Sequence, residues 1–201
     1  IKYATSLAHA SKLENAHFHV ASALEPLAFP DASFDLVNTR HIEEVIPVAA
    51  FPLLLKEMMR VLRPGGIIRM TGSEWGVTNS AAFEKYMRVI LHAARMTGLD
   101  FSADERNVSI TTWLHRLLRD AGCVDIQERP SFWDFSAGSP QYKDGYKLET
   151  MAFQLIEPFF VGMGVMTKPE VKQLQQQFEL EISDDSFRAI IYTLTAWGRK
   201  P

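Results

Sequence analysis

Apolar residues recur along this 201-residue chain with two alternating periods. Over 16–23 the spacing is two, with Phe18 and Val20 on one face and His17 and His19 on the other, as in a half-buried strand. A loop carrying Pro26, Pro30 and an Asp-Ala-Ser turn follows, and then a short apolar strand over 34–38. Over 48–62 the period lengthens to that of a helix, with Phe51, Leu54, Leu55, Met58, Val61 and Leu62 as its buried stripe. Pro52 falls in the first turn, where a missing N–H costs little. Pro64-Gly65-Gly66 ends that helix and turns into a strand over 67–71.

The rest of the chain is mostly helical in pattern. A helix end is expected over 1–12. A helix over 81–97 carries Phe83, Met87, Ile90, Leu91 and Ala94, with Gly98 as its cap. One over 110–121 puts Ile110, Trp113, Leu114, Leu117, Leu118 and Ala121 on one face, closed by Gly122. A strand over 123–128 precedes an aromatic-rich loop over 131–144 and an unusually apolar helix over 145–165. Thr167 as N-cap, with Pro169 and Glu170 behind it, opens a helix to about residue 180. A strand over 187–197 closes the chain. Strands alternating with helices predict an α/β fold built on a Rossmann-like, doubly wound, mostly parallel sheet. Such sheets bind ligands beyond the carboxyl ends of their strands, and the tips at 22–24, 38–41 and 72–75 fall on that side.

Composition narrows the class. The length suits one domain, here 1–201, with helical insertions at about 76–109 and 131–185. A net charge of −3 argues against nucleic acid as partner, since phosphate backbones demand a basic surface. The single cysteine, Cys123, cannot form an intrachain disulfide, which suits a reducing, cytoplasmic location. No apolar run is long enough to span a membrane. The chain opens at Ile1 in the middle of a fold pattern and reads as a fragment lacking its first strand.

Three phrases, in order, resemble the class I methyltransferases that use S-adenosylmethionine. Residues 21–35, from Ala21-Ser22-Ala23-Leu24 to Phe34-Asp35, resemble the family's third-strand tip, loop and fourth strand. Glu57-Met58-Met59-Arg60-Val61-Leu62-Arg63-Pro64-Gly65-Gly66 is similar to the family phrase E-x-x-R-V-L-x-P-G-G. Leu117-Leu118-Arg119-Asp120-Ala121-Gly122 resembles the L-L-x-x-A-G-F helix end, with Cys123 in place of the aromatic. The resemblance covers about two-thirds of the chain and implies an antiparallel last strand and S-adenosylmethionine as cofactor. It further implies cofactor contacts from Ser22, Ala23, Leu24, Asn38, Thr39 and Arg40. Ser22 stands where the family usually has Asp, a weaker acceptor for the adenine amine. The glycine-rich loop of the family, and the acidic residue that holds the ribose, are not in this sequence and would lie before Ile1.

Methyl transfer from a sulfonium needs mainly alignment and exclusion of water, with a base where the acceptor must lose a proton. His41, after the 34–38 strand, is the leading base, against the alternative of a surface histidine opening the next helix. Arg40 suits a cofactor or substrate anion, or a surface ion pair with Glu43 or Glu44. Glu74 is the second catalytic candidate, able to orient an acceptor proton, and Trp75 beside it walls the pocket; the alternative is a solvated Glu and a packing Trp. Tyr86, Ile90, Trp133 and Tyr142 in the insertions suit a small, largely apolar substrate. The 151–166 stripe reads as core, lid or a contact between copies in a homo-oligomer. His17 and His19 lack a third ligand, so no metal is expected. The expected reaction is methyl transfer to O, N or C of such a molecule. The alternatives are a nicotinamide-dependent oxidoreductase on a similar sheet, or a non-catalytic binding module that kept the fold.

Overall fold

A computed structural model describes residues 1–103 and 107–201. Three positions of the predicted 76–109 insertion, 104–106, lie outside the described residues. Helix α1 spans Lys2–Ala10, strand β1 Phe34–Arg40, helix α2 Phe51–Val61 and strand β2 Leu62–Thr78. Helices α3 (Ala81–Met96) and α4 (Leu114–Asp120) lead to strand β3 (Val124–Asp134). Helices α5 (Tyr142–Gly162) and α6 (Lys168–Ile182) lead to strand β4 (Ala189–Arg199). The sheet runs β1-β2-β4-β3. β1 is parallel to β2, and β4 is antiparallel to both β2 and β3. Three strands therefore share one direction and only the last runs against them, as expected.

The helix 48–62 begins as one 3-10 turn, Val48–Ala50, before α2, whose buried residues Phe51, Leu54, Leu55, Met58 and Val61 are those of the predicted stripe. Gly65 turns at φ +77, and Lys200, just after β4, ties the turn in. Its ammonium donates to the carbonyls of Met59 and Leu62, each at 2.7 Å, where a cation suits the C-terminal end of α2. At α6 the Thr167 N–H donates to Glu170 Oε2 at 2.8 Å and the predicted capping box forms.

Three expectations are corrected. No strand forms over 16–23, because no neighbouring ladder accepts it and an extended segment alone leaves its N–H and C=O groups to water. The predicted 110–121 helix splits into a 3-10 turn, Ile110–Thr112, and α4, with Trp113 between them. β2 does not stop at 71. It pairs with β4 as far as Thr78 opposite Ala189, so Gly72, Ser73, Glu74 and Trp75 lie within a strand rather than at a tip. The register shifts between Glu74 and Val77, and a Cβ on Gly76 would run into the Ile190 carbonyl, so this bulge admits only glycine.

Two cores result. One, formed by α2, α4, Ile68, Met70, Ala196 and their neighbours, fills one face of the lower sheet. The other gathers Phe83, Tyr86, Phe135, Phe153, Phe160, Phe178 and Phe187 between α3, α5, α6 and the extended upper part of the sheet.

Candidate functional site

The carboxyl end of β1 is built around His41. Its backbone is left-handed at φ 53, and its N–H donates to Thr71 O at 2.9 Å, carrying the β1–β2 pairing one residue past the strand. Arg40 Nε donates to His41 Nε2 at 3.2 Å. His41 Nδ1 lies 3.7 Å from Oε1 of Glu43, a buried carboxylate that also accepts the Ser73 N–H at 3.0 Å. Thr39 Oγ1 and His41 Nδ1 are buried with no hydrogen-bond partner among the described residues. Asn38 and Arg40 are on the exposed face of β1, while Thr39 and Val37 face inward.

Ser22, Ala23 and Leu24 form a turn, with Leu24 N–H donating to Ser22 Oγ at 3.2 Å. The two charged residues of the E-x-x-R phrase hold the loop that follows. Arg60 donates to Leu27 O and Phe29 O, both at 2.9 Å, and to Asp31 Oδ1 at 2.6 Å. Glu57 accepts from Leu27 N–H at 2.7 Å and from Arg60. The Arg60 guanidinium holds the Glu57 carboxyl down at about 2. These residues clamp a loop to a helix, which is why they occur at i and i+3 on one helix face.

Glu74 and Trp75, expected to act as a pair, are separated by strand alternation. Glu74 Oε1 accepts the Thr111 N–H at 2.9 Å and the Thr111 hydroxyl at 2.7 Å, and Oε2 accepts the Ser109 N–H at 2.7 Å. Its carboxylate therefore holds the 109–111 turn. Trp75 turns to the aromatic core, with its indole N–H buried and unpartnered among the described residues.

Tyr86, Ile90, Trp133 and Tyr142 come together with Trp75 in that same core. Tyr86 is buried and stacks on Phe153 at 3.9 Å, Trp133 stacks on Phe135 at 4.8 Å, and the Tyr142 hydroxyl donates to Ile182 O at 2.8 Å, tying α5 to α6. Glu43, expected only as a surface ion-pair partner of Arg40, is buried and lies against His41. One acidic residue escaped the sequence reading, Glu149, which occupies the buried face of α5 in the series Gly145, Glu149, Phe153, Phe160. Burial, and then the Glu44 carboxylate, push its carboxyl up to about 7. The available signal was its place one turn before Phe153 in an otherwise apolar stripe. Among the described residues no group of three His, Cys, Asp or Glu could hold a metal ion, and no helix is long and apolar enough to cross a membrane.

Residues 1–94 match the family described as a methyltransferase domain. A stretch of 52 residues is 46% identical to "Probable methyltransferase ltbC" of Aspergillus luteorubrus, covering 25% of this chain and only 18% of that protein. Among solved structures, the YcgJ protein of Bacillus subtilis superposes with a TM-score of 0.53 at 16% identity, over 100% of this chain and 78% of its own. A "putative methyltransferase" of Bacillus halodurans C-125 gives 0.52 at 16% identity, again over 100% and 78%. At such identities the structural likeness speaks for the fold alone. Over residues 1–94 the chain is thus similar to methyltransferase domains, and its sheet, with the last strand alone reversed, shares the fold of the solved structures it resembles.

Proposed function

We propose that this chain is the part of an S-adenosylmethionine-dependent methyltransferase that carries the adenine-to-methyl side of the cofactor site, and that it methylates O, N or C of a small, largely apolar molecule. The observation that carries the reading is the carboxyl end of β1, where Thr39 Oγ1 and His41 Nδ1 are buried polar atoms without hydrogen-bond partners among the described residues, beside an acidic turn. Unpartnered buried polar groups are costly unless a ligand satisfies them, so the residues present fit a bound group. The methyltransferase-domain match favours this reading over a nicotinamide-dependent oxidoreductase.

When bound, S-adenosylmethionine supplies an activated methyl on a sulfonium. The chain's residues then have distinct tasks. The 22–24 turn and Asn38, Thr39 and Arg40 hold the cofactor; Glu57 and Arg60 keep the loop between them closed. His41 receives an acceptor proton at Nε2 once the exposed Arg40 side chain releases that atom. Glu74 keeps the 109–111 turn over the site. Trp75, Tyr86, Ile90, Trp133 and Tyr142 exclude water and favour an apolar substrate. The helical insertions act as the lid of one domain. The outward stripe of α5, with Met151, Leu155, Phe159 and Val161 exposed, is the surface for a second copy. A reducing compartment suits the lone buried Cys123.

Calorimetric titration of the full-length polypeptide with S-adenosylhomocysteine tests the reading. Saturable binding is expected; its absence sinks both cofactor and activity and leaves the non-catalytic binding module.

A further inference from the structure

We propose that Glu43 is the positioning residue of His41: its buried carboxylate holds the imidazole proton on Nδ1 and so keeps the Nε2 lone pair free for the acceptor proton. The catalytic consequence rests on the methyltransferase reading; the tautomer itself does not. Arg40 Nε donates to His41 Nε2 at 3.2 Å, and a guanidinium has donors only. Nε2 is therefore an acceptor, and the proton of the neutral ring is on Nδ1. Nδ1 is buried with no hydrogen-bond partner among the described residues, and Oε1 of Glu43 lies 3.7 Å from it. That is within charge-pairing range and longer than a hydrogen bond; a shift of about 1 Å closes it, and such contacts tighten when substrate binds.

The fold fixes both partners. β1 ends at Arg40 opposite Thr71, and His41 leaves the ladder in the left-handed region at φ 53. A residue with a side chain stays there only when its surroundings hold it. Here the His41 N–H donates to Thr71 O at 2.9 Å, and the 3-10 turn over Ile42–Glu44 follows at once. Donors on one strand edge recur at every second residue, so the next N–H of β2 on the β1 side is that of Ser73. With β1 ended, Glu43 Oε1 accepts it at 3.0 Å. Glu43 is 2% exposed. A carboxylate so buried needs donors or a cation; Ser73 supplies the first, and His41 becomes the second once it takes a proton. In the transfer, the electron pair of the acceptor's bond to hydrogen forms the new bond to carbon while the S–C pair stays on sulfur. The released proton goes to His41 Nε2, and Glu43 stays ionised against the Nδ1–H of the imidazolium. That proton then leaves Nε2 to solvent.

The test is the tautomer of His41, read by long-range proton–nitrogen NMR of the histidine-labelled full-length polypeptide at about pH 8.5, where an ordinary imidazole is neutral. The signals are assigned by their loss in His41→Gln. In the parent the proton is expected on Nδ1. Glu43→Met keeps the bulk and removes the acceptor, and should move the proton to Nε2; Arg40→Ala should leave it on Nδ1. A proton on Nε2 in the parent overturns the proposal without recourse to any variant. So does one that stays on Nδ1 in folded Glu43→Met, or one that moves to Nε2 in Arg40→Ala, since Arg40 and not Glu43 would then fix the ring. S-adenosylhomocysteine is titrated into the same samples. If it binds and the tautomer is not the expected one, Glu43 fails as positioning residue and the methyltransferase reading stands; if it does not bind, that reading fails and the tautomer still decides whether Glu43 holds His41.

Discussion

Replacing Glu149 by Gln should stabilise the fold at neutral pH and not at acid pH. Burial, and then the Glu44 charge, push the carboxyl up to about 7 in the folded state from its ordinary value of 4.5, because both disfavour its ionised form. A raised carboxyl means the folded state binds the proton more tightly than the unfolded chain does. Below pH 4.5 both states are protonated and the group costs nothing. Between pH 4.5 and 7 stability falls as pH rises, and above 7 the loss is constant. At about 1.4 kcal/mol for each tenfold change in proton affinity, the full loss is about 3 kcal/mol. The buried amide in the variant carries its own cost, about 1–3 kcal/mol if unsatisfied, but that cost does not change with pH. The diagnostic quantity is therefore the pH dependence of the stability difference, not its absolute value. Urea unfolding followed by tryptophan fluorescence, between pH 4.5 and 8, should show the variant gaining about 3 kcal/mol on the parent across that range. A difference that stays flat would mean the carboxylate is already solvated and would refute the reasoning.

Three further outcomes are expected. Arg60→Ala should release the 27–31 loop from α2, since it removes donors to Leu27 O, Phe29 O and Asp31, and faster exchange of the Leu27 amide proton would report it. Gly76→Ala drives a Cβ into Ile190 O and should cost on the order of 4 kcal/mol through loss of the upper β2–β4 pairing, read as a fall in melting temperature. Leu155→Glu, at an exposed position of α5, should leave the melting temperature within about 0.5 kcal/mol equivalent of the parent; if copies associate through that stripe, light scattering will show the mass falling to that of one chain.

Much of this architecture was legible from periodicity and punctuation. The α2 stripe, the Pro-Gly-Gly turn and the Thr167–Glu170 box are local matters, settled within a few residues by backbone geometry and hydrogen bonding. The E-x-x-R phrase was readable as a family resemblance, but its task of gripping the 27–31 loop was not, because its partners Leu27, Phe29 and Asp31 are some thirty residues away. Other features had no local signal. Residues 16–23 alternate like a strand, yet a strand needs a neighbour, and none accepts it. Gly72–Trp75 read as a tip because nothing in those residues announces that β4 will carry the pairing on to Thr78.

That extension also changed the site. By placing Glu74 and Trp75 within a strand, it sent one side chain to the 109–111 turn and the other to the aromatic core. The sequence by itself determined the order of elements, the buried stripes and the family phrases, since each depends on residues close together in the chain. Tertiary structure alone decided which carboxylates are committed and which stand unpaired. Glu74 is saturated by backbone and hydroxyl donors that only packing brings to it, while Glu149 is buried on α5 with no hydrogen bond among the described residues, because burial is a property of the neighbours and not of the residue itself.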